Sequence, residues 1–73
     1  MIQMTERNLG NRLRDLRTQA GLTQAELAQS IGVSRKTINT IENKVFVPST
    51  LVALLLAGAL GRRVEDLFFL EQS

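Results

Sequence analysis

Between Gly21 and Ser34 the chain carries two helix stops and two helix starts within fourteen residues. Gly21 can take the left-handed conformation that closes a helix. Leu22 then leads into Thr23-Gln24-Ala25-Glu26. Thr23 is placed to cap the next helix while Glu26 reaches back to the Thr23 backbone N–H, and Leu22 stands where a hydrophobic staple would. That helix runs through Ala25, Leu27, Ala28 and Ile31 and stops at Gly32. Val33 alone separates Gly32 from the next cap, Ser34, so a third helix is expected from there to about Asn43. Chain punctuated this closely must fold as short helices packed side by side.

The flanking segments read the same way. Leu9, Leu13, Leu16 and Ala20 recur at spacings of three and four, which predicts a first helix from about Asn8 to Ala20. Residues 44–47 form a loop closed by Pro48. Ser49 or Thr50 caps a fourth helix that ends at Gly61. A short fifth helix is expected from Val64 to Leu70, with Glu65 and Asp66 in the first turn, where the helix dipole favours them. The expected fold class is therefore all-α, a compact five-helix domain over residues 8–70. A flexible lead-in (1–7, frayed over Met1–Thr5) and a short tail (71–73) flank it. Within it, the second and third helices and their Ile31-Gly32-Val33-Ser34 turn form a helix-turn-helix.

Composition narrows the functions available. Seventy-three residues hold one small domain, which buries only about 60% of the surface its unfolded chain exposes. With no Cys and no His, disulfides are excluded and the usual zinc ligands are missing. The commonest general base and the most reactive nucleophile are missing too. The carboxylates are scattered and no glycine loop cradles a phosphate, so neither an enzyme nor a cofactor site is expected. Oligomerisation remains the ordinary route to more buried surface. Met1–Glu6 holds no run of signal-peptide length, and the apolar stretch Leu51–Leu60 is half of the roughly 20 residues that span a bilayer. A soluble, cytoplasmic chain is expected. Gly58-Ala59-Leu60-Gly61 has the spacing of an RNA-gripping loop, but no strand pattern surrounds it and Gly61 already serves as a helix stop.

Charge is unevenly placed. Up to Pro48 there are seven cations and four anions, a net +3; from Ser49 onward there are two and three, a net −1. The first two-thirds could meet a polyanion and the last third could not. On the third helix the inward residues are Ile38 and Ile41, with Thr37 at the edge, which leaves Arg35, Lys36, Asn39 and Thr40 on the other faces. Such a helix buries little and can be laid against something else.

Leu16-Arg17, Gly21 through Ala28, Gly32-Val33-Ser34-Arg35, Ile38, Ile41-Glu42-Asn43 and Pro48-Ser49 together resemble the lambda-repressor-like (Cro/XRE) helix-turn-helix domain. The match covers about Asn11 to Phe68. It implies a sequence-specific binder of double-stranded DNA, usually a homodimer on a palindromic or near-palindromic operator. Carried over by position, the resemblance assigns base reading to Arg35, Lys36 and Thr40. It assigns phosphate contacts to Gln24, Thr37, Asn43 and Lys44, and a structural ion pair to Arg17 and Glu42. Many members have glycine where this chain has Lys44, so Lys44 is expected to carry a positive φ at some cost.

The residues themselves support part of this. Arg35 and Lys36 stand in a first helical turn, where the dipole favours acids, so a reward from outside the domain is implied. Guanine O6 and N7 in a major groove would supply one. Thr40 can offer a methyl to thymine or a hydroxyl to a base edge; Asn39 is less well placed. Gln24, at a helix start, can bridge to a phosphate together with free N–H groups. Arg12 and Arg14 suit backbone phosphates or solvent equally.

The fourth helix is apolar nearly all round, which is unusual for a surface helix. Ala53, Leu56, Ala57 and Leu60 form an inward stripe, leaving Leu51, Leu55 and Gly58, with Phe69 and Leu70 beyond the core, as a dimer or partner interface. The same fold could instead serve as an interaction module (an antitoxin or adaptor), or as the DNA-binding part of a longer ligand-sensing regulator.

Overall fold

The stops and starts around Gly32 produce a tight pair of helices. In the computed structural model, which describes residues 7–72, the order is β1 (Arg7–Asn11), α1 (Leu13–Gln19), α2 (Gln24–Ile31), α3 (Arg35–Glu42), α4 (Thr50–Leu60), α5 (Val64–Leu67) and β2 (Phe68–Gln72). Most of the lead-in expected over 1–7, and Ser73 of the expected tail, lie outside the described residues.

The capping box forms as the sequence suggests. The Glu26 N–H donates to Thr23 Oγ1 at 3.0 Å, and the Thr23 N–H donates to Glu26 Oε1 at 2.8 Å. Gly32 then turns the chain with φ 77°, a value that a residue with a Cβ adopts only under strain. Ser34 Oγ accepts the Thr37 N–H at 3.1 Å and starts α3.

The molecule is not strictly all-α, because β1 and β2 pair antiparallel, from Arg7↔Gln72 to Asn11↔Phe68. Both differences from the expected helices have structural causes. The first helix does not begin at Asn8, because the Asn11 side chain holds the chain outside it. Asn11 Oδ1 accepts the Leu13 N–H at 3.1 Å, and Nδ2 donates to the Ile41 carbonyl at 3.0 Å. Leu9, four residues before Leu13, packs on the same core from a strand, which is why its spacing mimics a helix. The fifth helix ends at Leu67 rather than Leu70, since Phe68 is extended at φ −126°, ψ 141°. Gly10 permits the pairing: a Cβ there would lie 2.5 Å from Phe69 Cε1 and 2.7 Å from Glu71 Cγ.

One core joins all five helices and the second strand: Leu13, Leu16, Leu27, Ala28, Ile38, Ile41, Leu56, Ala57, Leu67 and Phe68. Six of the large side chains are fully enclosed, each contributing about 1.5–3 kcal/mol of transfer free energy. α3 gives this core only Ile38 and Ile41, so most of its surface is turned outward. No helix of the described residues is long and apolar enough to cross a membrane.

Candidate nucleic-acid interface

The helix α3 is held from behind by a network centred on Glu42, whose side chain is 0% exposed. Arg17 Nε donates to Glu42 Oε2 at 2.6 Å, and Arg17 Nη2 donates to Oε1 at 3.2 Å. Arg17 Nη1 also donates to the Leu22 carbonyl at 2.8 Å, tying in the loop ahead of α2. Gln24 Nε2 donates to Glu42 Oε1 at 3.0 Å and to Asn39 Oδ1 at 3.2 Å. Arg14 Nε reaches Glu42 Oε1 at 3.3 Å, and its Nη2 reaches Asn43 Oδ1 at 3.2 Å. Burial pushes the Glu42 carboxyl up, but the hydrogen bonds from Arg17, Gln24 and Arg14 and the Arg17 charge outweigh it, leaving the group below its ordinary value. The network thus links α1, α2 and α3 and fixes the rotation of α3 about its axis.

Two of the side chains expected at phosphates are turned inward. The Gln24 amide donates inward to Asn39 and Glu42. What it leaves for an anion are the N–H groups of Gln24 and Ala25 at the start of α2, since that of Glu26 is capped by Thr23 Oγ1. Asn43 likewise turns its amide back, donating to the Asn39 carbonyl at 2.9 Å.

Arg35 and Lys36 stand outward, both exposed. The other cations whose side chains are described are engaged. Arg14 and Arg17 hold Glu42, Lys44 and Arg63 pair with Glu71 and Glu65, and Arg62 Nη2 lies 3.4 Å from Gln19 Oε1. The Arg12 guanidinium stacks 4.3 Å from the centroid of the Phe69 ring. Among the described cations, Arg12, Arg35 and Lys36 make neither an ion pair nor a side-chain hydrogen bond, and of these Arg35 and Lys36 also lack a stacking contact. Thr37 and Thr40 border them, partly buried. Thr40 Oγ1 donates to the carbonyls of Lys36 and Thr37, both at 3.0 Å, so its hydroxyl hydrogen is already in use.

Lys44 has φ 62°, the left-handed value expected of it. Its Nζ donates to both carboxylate oxygens of Glu71, at 3.0 and 3.1 Å. On α4, Leu51, Leu54, Leu55 and Gly58 form one exposed stripe at helical spacing. Leu54 is not singled out by the sequence, because an all-apolar helix has no polar face to set its phase. Leu70 is exposed, whereas Phe69 is half-buried in β2 beneath Arg12. Sequence reasoning also passed over Val45, Phe46 and Val47, all exposed. The available signal was an apolar triplet without helical period, lying between the Lys44 turn and Pro48.

A capped helix pair, with the second helix braced by a buried ion pair and its cationic face free, defines a helix-turn-helix domain. Residues 13–67 match the helix-turn-helix family, and the chain belongs to it. It is 39% identical over 62 residues to an uncharacterized HTH-type transcriptional regulator of Bacillus subtilis, YgzD, covering 85% of this chain and 94% of that one. A second HTH-type transcriptional regulator, from Methanothermobacter thermautotrophicus, is 44% identical over 61 residues, covering 82% and 88%. The crystal structure of the restriction-modification controller protein C.AhdI from Aeromonas hydrophila superposes with a TM-score of 0.72 at 36% identity, over 75% of this chain and 83% of that one.

Proposed function

We propose that this protein is a transcriptional regulator that recognises a specific double-stranded DNA operator by laying α3 in the major groove. The observation that carries this reading is the pair Arg35 and Lys36. They are exposed and unpartnered in a helical turn whose dipole disfavours them, while the other described cations are engaged. Guanine O6 and N7 offer the compensating acceptors. Thr40 borders the same face and supplies contact to a base edge. The N-terminus of α2 at Gln24, together with Thr37, Asn43 and Lys44, contacts phosphates that set the register. Arg17 and Glu42 hold the helix at its angle and touch no DNA.

The operator is read by a homodimer, with two copies of α3 in successive major grooves about 34 Å apart. The exposed stripe Leu51, Leu54, Leu55 and Gly58 supports an apolar two-fold contact. Such work places the chain in the cytoplasm, and neither a cofactor nor a metal enters the mechanism. The test is selection of bound duplexes from a random pool at stated salt, because phosphate contacts make affinity fall steeply with ionic strength. A palindromic or near-palindromic consensus is the expected product. A pool that leaves successive rounds unenriched would refute the reading.

A further inference from the structure

The triplet Val45-Phe46-Val47 has no part in the contacts assigned above, yet Val45 is 77% and Phe46 47% exposed. The loop is held in place: the N–H groups of Val45 and Phe46 both donate to the Thr40 carbonyl, at 2.9 and 3.2 Å. This hook sets the two side chains against the outer edge of α3. With Ser34, Lys36, Thr37 and Thr40 they wall an open cleft of about 330 Å³. No carboxylate lines it. Thr40 Oγ1 donates to two carbonyls, and one of the Ser34 and Thr37 hydroxyls donates to the other at 2.9 Å. The cleft therefore offers mostly carbon on its walls, with one hydroxyl hydrogen of the Ser34–Thr37 pair and one ammonium, Lys36, at its side.

We propose that this cleft receives the 5-methyl edge of a thymine, with Phe46 as its specificity-determining wall. The proposal rests on the DNA-binding reading and deepens it. An apolar cleft beside Arg35 and Lys36, without an acid to repel phosphates, admits a duplex. The apolar group that a major groove presents is the thymine C5-methyl, which aromatic and threonine carbons contact. Phe46 thereby reads a base from outside the recognition helix.

The test uses the full chain and a duplex taken from the random-pool selection, with each thymine replaced in turn by deoxyuridine, which lacks only the methyl. At one thymine in each half-site, binding should fall about three- to fivefold, as expected for loss of one buried carbon. In Phe46→Ala the same replacement should change nothing, whereas Phe46→Leu should keep most of the penalty. Phe46 is half exposed, so the fold is expected to survive, which far-ultraviolet circular dichroism checks; low salt keeps a weakened variant measurable. Uracil tolerated at every thymine, or a penalty of equal size in Phe46→Ala, would overturn the proposal. A wild-type chain that binds no duplex from the pool would instead overturn the DNA reading beneath it.

Discussion

Arg35 and Glu42 occupy the same helix and illustrate opposite uses of charge. Arg35 carries a cation at the wrong end of the α3 dipole without a partner. Arg35→Ala should therefore raise folding stability, by about 0.3–1 kcal/mol, while weakening binding to the selected operator by roughly 1–3 kcal/mol and relaxing preference at one base pair. Chemical denaturation and titration of single-base operator variants measure the two effects. A merely solvated Arg35 would leave binding and preference unchanged. Glu42 is the reverse case, a charge enclosed and satisfied by three neighbours. Its pKa is lowered in the folded state, so the stability it contributes is complete above the unfolded value of about 4.3 and is lost as pH falls through the lower folded value. The wild-type melting temperature should thus fall on acidification below about pH 4.3. Glu42→Gln should cost about 1.5–3 kcal/mol at neutral pH, since the partly buried Arg17 loses the charged acceptor of its hydrogen bonds and keeps the Leu22 carbonyl. It should also flatten the acid limb measured by thermal denaturation; an unchanged limb would remove Glu42 from the pH dependence.

At the scale of elements, the ribbon β1–β2 sets how free Lys44 is to reach a phosphate. Glu71 on β2 holds the Lys44 ammonium through both carboxylate oxygens. In Glu71→Gln that ammonium is released and a negative charge is removed. Operator binding should tighten, and the slope of log affinity against log salt should steepen by about one. The exposed pair itself is worth at most about 1 kcal/mol of stability, so the melting temperature should move little. Binding that is no tighter in this variant would count against a phosphate role for Lys44. The ribbon was also the element least legible in the sequence. Helices α2, α3 and α4 carry their own caps, Thr23, Ser34 and Ser49, and their own stops, so local chemistry announces them. The strands depend on contacts far away in sequence: Gly10 lies against Phe69, and Asn11 binds the Ile41 carbonyl. Neither pairing leaves a trace in local spacing, and Leu9 keeps helical phase with Leu13 by packing on the same core. The face carrying Arg35 and Lys36 was legible because Ile38 and Ile41 fix the phase of α3. The Phe46 wall was not, because the hook onto the Thr40 carbonyl belongs to no periodic element.

For the whole molecule, the question is what meets the stripe Leu51, Leu54, Leu55 and Gly58. A domain of 73 residues leaves much of its apolar surface in water, and three exposed leucines on one helix add to that cost. A two-fold contact presents the same patch from both copies and covers these residues with their own kind. Such a contact would also link two copies of α3, so that a second half-site would be bound intramolecularly, at an effective concentration in the millimolar range for short, well-matched spans. Sedimentation equilibrium at tens of micromolar should therefore report twice the 8.1 kDa chain mass. Leu51 is 66% and Leu54 56% exposed, so Leu51→Glu or Leu54→Glu should leave the helical fold intact while placing like charges across the contact. Each variant should sediment as a monomer. Each should bind a duplex with two half-sites about a hundredfold more weakly, yet bind an isolated half-site as the wild type does. That split separates loss of pairing from loss of reading, because damage to α3 would weaken both duplexes alike. A wild-type chain that stays monomeric at high micromolar concentration would leave the stripe unpaired and would require the two half-sites to be filled independently.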